Sequence, residues 1–258
     1  MARNSENVAA AIEAVNGIIA EQNAALKALK DTLSQKASGG GASDTTQIDS
    51  MIDRSITEIS NDRITVIGDN AFYACKSLIT IDFPAATKVS NHAFHDCTSL
   101  TTVDFPAVTK IGGNAFRGCT GLITVSFPAV NTGLGSNSFD SCTSLTTVYF
   151  PILDNAGGSS FAHCTSLTTA EFPVVNTLST AAFYGCTSLN TLILRISDKV
   201  CKLSNTNVFT LTPIESGTGY IYVPSTLVDS YKAATNWSVF ADQIRAIEDY
   251  PEITGGAA

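Results

Sequence analysis

The stretch Ala93-Phe94-His95-Asp96-Cys97-Thr98-Ser99-Leu100-Thr101-Thr102-Val103-Asp104-Phe105-Pro106 decides how this chain folds, because its pattern recurs. Cys75, Cys97, Cys119, Cys142, Cys164 and Cys186 follow one another at 22, 22, 23, 22 and 22 residues. Each lies three residues after a phenylalanine (Phe72, Phe94, Phe116, Phe139, Phe161, Phe183) and three before a leucine (Leu78, Leu100, Leu122, Leu145, Leu167, Leu189). A period in the twenties marks a solenoid: a single unit cannot bury its own apolar face, so neighbours must stack.

Within each unit the apolar residues assign themselves to columns. Ile81, Val103, Val125, Val148, Ala170 and Leu192 stand two residues before Phe83, Phe105, Phe127, Phe150, Phe172 and Leu194. This alternation predicts a short half-buried strand, in most units stopped by a proline that cannot donate to a ladder. One strand per unit gives a parallel sheet at about 4.8 Å per step, so six units make a block roughly 30 Å long. A further apolar column, Ile67, Val89, Ile111, Leu134, Ala156 and Leu178, precedes each repeat phenylalanine by five residues. From there to the cysteine the chain is short and rich in Gly, Asn and Ser, which predicts a turn and a single helical or 3₁₀ turn. The one 23-residue step predicts a bulge within residues 131–137.

The motif AF-x-x-C-x-x-L-x-x-V-x-F-P, seen in Ala93, Phe94, Cys97, Leu100, Val103, Phe105 and Pro106, resembles the BspA-like leucine-rich repeats. That subclass occurs in bacterial surface proteins and in phage or prophage proteins. The resemblance covers about residues 60–195 and implies an α/β solenoid with a parallel-strand stack. It departs from the commonest leucine-rich pattern because no asparagine follows the strand and phenylalanine replaces several leucines.

The ends carry other patterns. Val8, Ile12, Val15, Ile19, Gln22, Leu26, Leu29 and Leu33 are spaced 4, 3, 4, 3, 4, 3 and 4, a heptad seam that predicts self-association of residues 1–37 through a coiled coil. β-Branched residues at the d positions favour a homotrimer over a dimer, and Gln22 is the polar member that fixes register. The alternative is an amphipathic helix packed on its own domain or on another protein. Residues 38–47, with Gly39, Gly40 and Gly41, read as a linker. Residues 48–195 are then six repeats behind a leading element in which Ile48, Ile52, Ile56 and Ile59 cover the first repeat. Residues 196–258 form a C-terminal α/β cap: a strand at Tyr-Ile-Tyr-Val-Pro, then amphipathic helix around Leu227–Tyr231 and again around Val239–Ile247. Trp237, the only tryptophan, is expected to anchor that cap. The run from Tyr220 to Tyr250, including VPSTLVDSYKAATNW, resembles the ending of repeat proteins encoded by phages and prophages of gut Firmicutes.

Composition narrows the function. With 44% hydrophobic residues in 258, the chain can bury a sizeable core. A net charge of −8 with 15 Lys plus Arg gives no footprint for nucleic acid, and no apolar run suits membrane insertion. The N-terminus lacks the pattern of a secretory signal, so folding in a reducing cytoplasm is expected. The once-per-repeat cysteines read as small buried hydrophobes rather than disulfides or zinc ligands, and no CxxC pair is present. His92, His95 and His163 fall in different columns and read as exposed polar residues without partners. No P-loop, GxSxG or HExxH motif occurs, and neither an enzyme nor a cofactor is expected.

Binding has two places to go. The outward strand column runs Asp82, Asp104, Ser126, Tyr149, Glu171, Ile193, and the column just after the repeat phenylalanine runs Tyr73, His95, Arg117, Asp140, Ala162, Tyr184. Both vary while the core columns repeat, which suits either a recognition surface or an unconstrained one, and the strand face is the stronger expectation. The functions compatible with this are three. The leading one is a phage tail or head fibre, made in the host cytoplasm, assembled with other virion proteins and touching a host surface protein or glycan. The second is a bacterial cell-surface adhesin or secreted protein-interaction module. A glycan hydrolase, the third, needs a carboxylate pair at catalytic separation that the repeat does not build.

Overall fold

The computed structural model describes residues 57–254; the heptad seam, the linker and most of the leading element lie outside the described residues. The T-V-D stretches form the expected short strands: β1 (Glu58–Ser60), β3 (Thr80–Asp82), β5 (Thr102–Asp104), β7 (Thr124–Ser126), β8 (Thr147–Tyr149), β10 (Thr169–Phe172) and β12 (Thr191–Leu194). Between them, β2 (Val66–Ile67), β4 (Lys88–Val89), β6 (Lys110–Ile111), β9 (Asn155–Ala156), β11 (Thr177–Leu178) and β13 (Lys202–Leu203) make a second, shorter ladder. Pairing is parallel, as in Glu58↔Thr80, Thr102↔Thr124 and Thr169↔Thr191. Most strands bury only their central or second residue.

The extra residue of the 23-residue step interrupts the second ladder, which runs as β2-β4-β6 and then β9-β11-β13. In the gap, the Leu134 N–H donates to Asn155 O (2.9 Å) and the Gly135 N–H donates to Ile111 O (3.0 Å), so the stack continues without a strand. The bulge therefore costs pairing but not stacking.

The segment around each repeat phenylalanine is not a helical turn. It is a tight turn with left-handed residues two before and two after the ring, as in His92 (φ 55) and Asp96 (φ 59), or Asn114 (φ 55) and Gly118 (φ 72). That alternation points backbone N–H groups along the stack. Phe72, Phe94 and Phe116 donate to Ala93, Ala115 and Ser138 at 2.7 Å, a third ladder that a helical turn, with its bonds closed on itself, could not make.

The core is a double spine of rings. Phe72, Phe94, Phe116, Phe139, Phe161 and Phe183 stack face to face at 5.1–5.5 Å with planes within 9°. Phe83, Phe105, Phe127, Phe150 and Phe172 run beside them. Offset aromatic pairs contribute about 0.5–1.5 kcal/mol beyond area burial, and here each ring has several partners. The thiols are fitted into the same spine. Cys97, Cys119, Cys142, Cys164 and Cys186 are free, buried, and each donates its S–H to the carbonyl of the repeat phenylalanine one unit back, at 3.0–3.2 Å. Cysteine fills a small apolar slot and satisfies a carbonyl that the turn would otherwise share less well.

The sequence motif ends at Arg195 but the ladder does not. β14 (Tyr220–Val223) pairs with β12, and β15 (Ile244–Ala246) pairs with β14. Phe209, in a 3₁₀ segment, stacks on Phe183 at 6.1 Å and meets Phe240 edge-on at 5.2 Å, which closes the ring spine. The expected helix around Leu227–Tyr231 is present as α1 (Val228–Ala233). The helix expected at Val239–Ile247 is not: residues Ser238–Gln243 are 3₁₀, non-helical at Phe240, and lead into β15. Extending the parallel sheet by one strand satisfies an edge that a helix would leave open. Trp237 is buried, and its Nε1–H donates to Cys201 O at 2.6 Å while Tyr231 Oη accepts from Cys201 N. Both backbone polar groups of Cys201 are thus held by the two largest cap rings. A short α2 (Pro251–Thr254) ends the described chain.

Candidate functional site: the turn face

Strand and turn columns meet different fates. On the strand face Asp82, Asp104, Ser126 and Tyr149 are exposed, whereas Glu171 and Ile193 are only 6% and 5% exposed. The C-terminal segment lies over that end. Ile193, Tyr222 and Ile247 form a cluster against which Tyr250 and Ile253 pack. Arg195 ion-pairs with Glu171 through Nε and donates from Nη2 to Ile253 O at 2.6 Å. Glu171 and Ile193, expected on the outward strand column, are thus covered, and the tail over them belongs to a part of the chain without the repeat motif.

The turn face is a connected stripe. Tyr73 is exposed and stacks on His95 (4.9 Å, 18°), which in turn stacks on His92 (5.7 Å, 27°). His95 Nδ1 lies 3.2 Å from Asp96 Oδ2 without hydrogen-bond geometry. Gly118, with φ 72, leaves the space that the Asp96 carboxylate fills: a Cβ there would sit 2.2 Å from Asp96 Oδ1. One repeat on, Asp140 is the centre of the stripe. Its side chain is 8% exposed, held by Arg117 Nε at 3.1 Å on Oδ2 and by His163 Nδ1 at 2.9 Å on Oδ1. Ser141 Oγ donates to the same Oδ1 at 3.1 Å. Arg117 and His163 remain 48% and 53% exposed, and the His163 ring meets half-buried Tyr184 edge-on at 5.4 Å.

Two expectations are corrected here. Asp140 and Ala162, expected on the surface column, are buried, Asp140 between the Arg117 and His163 side chains that pair with it. The histidines do have partners: His163 hydrogen-bonds Asp140, and His92 and His95 join the ring stack. Different columns in sequence register become neighbours because the backbone advances one repeat between them. The pair Asp140 and His163, one repeat plus one residue apart, was the signal available in the sequence.

Residues 52–160 match the family described as BspA type leucine rich repeat region, in six copies. Over that stretch the chain is similar to leucine-rich repeats of the BspA type. Among solved structures, the T. pallidum leucine rich repeat protein is 28% identical, with a TM-score of 0.53 over 60% of this chain and 73% of that one. A leucine rich cell surface protein from Faecalibacterium prausnitzii A2-165 is 20% identical, with a TM-score of 0.37; 74% of this chain matches 59% of that one. No curated protein matches the sequence.

Among the described residues, no group of three or more His, Cys, Asp or Glu side chains could hold a metal ion. No described helix is long and apolar enough to cross a membrane. A concavity of about 270 Å³ in the cap lies between Val200–Ser204 and Ala234–Trp237, residues that belong to neither candidate column. The turn face offers the exposed Tyr73 ring and the half-exposed Arg117 guanidinium and His163 imidazole, spaced along the stack.

Proposed function

We propose that this chain is a non-catalytic protein-interaction module that works at a bacterial surface and engages its partner with the turn face. The observation that carries this is the stripe Tyr73, His95, Arg117, His163 and Tyr184, locked by stacking and by the buried Asp140. Tyrosine and arginine dominate binding hot spots, and side chains already held in place lose little entropy on binding. The strand face is the weaker choice because its C-terminal end is covered by the tail.

A second reading, a phage tail or head fibre trimerised by residues 1–37, is favoured by the resemblance of VPSTLVDSYKAATNW to the endings of phage-encoded repeat proteins. It keeps the same binding face and changes only the carrier.

Labelled full-length protein, scored by flow cytometry on bacterial and animal cells, tests the main reading. Tyr73→Ser with Tyr184→Ser is expected to abolish binding, and Asp104→Asn with Tyr149→Ser to leave it intact. The reverse pattern refutes the turn face.

A further inference from the structure

Arg117 is held in an uncommon way for a half-exposed arginine. Its Nε lies 3.1 Å from Asp140 Oδ2 as an ion pair, and among the described residues its guanidinium makes no hydrogen bond. On the other side of the same carboxylate His163 is anchored through Nδ1, which leaves Nε2 as its second ring nitrogen. One buried carboxylate therefore holds two half-exposed side chains, drawn from repeats on either side of it. A guanidinium paired at Nε keeps its terminal N–H groups for a second partner, and a planar carboxylate matches such a fork with two parallel hydrogen bonds.

The geometry points to Arg117, positioned by Asp140 while His163 braces the same carboxylate, as an anchor for a carboxylate of a partner protein's acidic side chain. This rests on the turn-face reading and names its ligand chemistry. A sugar acid carries the same carboxylate, but sugar rings are gripped by free aromatic faces. Here His95 is enclosed between Tyr73 and His92, and the His163 ring packs against Tyr184, so no free aromatic face flanks Arg117 in these contacts. A guanidinium without an aromatic platform beside it suits a peptide carboxylate. The net charge of −8 opposes any acidic partner at long range, so the contact must act locally, and Asp96, packed against Gly118, sets a limit on how many acidic groups the stripe accepts.

The test uses the full chain and a fluorescent hexaglutamate peptide, read by anisotropy. Hexaglutamate is expected to bind saturably, Arg117→Gln to weaken it at least tenfold, and Arg117→Lys, which keeps the charge but loses the fork, to weaken it about threefold or more. Lys88→Gln, removing the same charge from the exposed edge of β4, is expected to change nothing. Asp140→Asn is expected to weaken binding with Arg117 still present; thermal unfolding of each variant separates this from loss of fold. Equal affinities for Arg117→Gln and Lys88→Gln overturn the anchor. Arg117-dependent binding of hexagalacturonate in place of hexaglutamate overturns the protein partner. If Arg117→Gln still binds cells while the Tyr73 and Tyr184 pair does not, the anchor fails and the turn face stands.

Discussion

Phe116→Ala is the perturbation that asks most of the ring spine. Phe116 is fully buried, stacks on Phe94 and Phe139 at 5.1 Å each, and leans on Phe127 at 5.7 Å. Truncating a buried phenylalanine costs about 3–5 kcal/mol. Three lost ring contacts place this site at the upper end, so about 4 kcal/mol or more is expected. Such a loss is a large share of the roughly 5–15 kcal/mol that holds a domain together. The site lies mid-stack, and stability in repeat proteins is carried by nearest-neighbour interfaces, so the break also divides the stack. Urea unfolding followed by circular dichroism is expected to show a lower midpoint and a shallower slope, as two partly uncoupled halves unfold separately. Phe72→Ala, at the first described repeat with a neighbouring repeat ring on one side only, is expected to cost less and to keep the slope. A loss below about 1 kcal/mol at Phe116, or equal losses at both sites, refutes the spine as the source of cooperativity.

Ser138 and Ser160 occupy a buried column that elsewhere holds Ala71, Ala93, Ala115 and Ala182, and their hydroxyls have no hydrogen-bond partner. Ser138→Ala or Ser160→Ala is expected to stabilise by up to about 1 kcal/mol, and a clear loss in urea midpoint contradicts this. Burial pushes the Cys201 thiol up to about 12 from 9.0 and raises Cys119 and Cys142 as well. A raised thiol keeps its proton in the folded chain and loses it sooner in the unfolded one. This contribution is therefore whole below pH 9 and lost as pH climbs toward 12, so urea midpoints are expected to fall from pH 8 to 10.5; a flat profile refutes it. Arg195→Gln is expected to free the tail: amide exchange at residues 247–254 speeds at least tenfold, while β12 stays protected, and unchanged exchange means the latch holds nothing.

The parts of this structure legible in the sequence are those fixed by one residue type per repeat. Cysteine, phenylalanine and leucine columns gave the period, the strand position and the buried thiols, because packing leaves little choice at those positions. Turn geometry was harder to read, since left-handed positions hold Asn, His, Ser, Ala, Asp and Gly in turn, and no single residue type announces them. The covered end of the strand face was not legible either: Ile247, Tyr250 and Ile253 reach Ile193 from a segment with no repeat motif. Asp140 was in the right column but its role depends on Arg117 and His163, whose meeting needs the stack to be built first. Phe209 hid for a related reason, because the cap keeps the spine's geometry while discarding the motif around it.

The central claim is that partners meet the turn face of the stack, and site-specific photo-crosslinking tests it most directly. A photoreactive side chain placed at position 73 or 184, and in parallel at 82 or 149, would be irradiated in the presence of cells that the protein binds. The account predicts crosslinked partner from positions 73 and 184 and none from 82 or 149. Crosslinks from 82 and 149 alone would contradict it and return the binding surface to the strands.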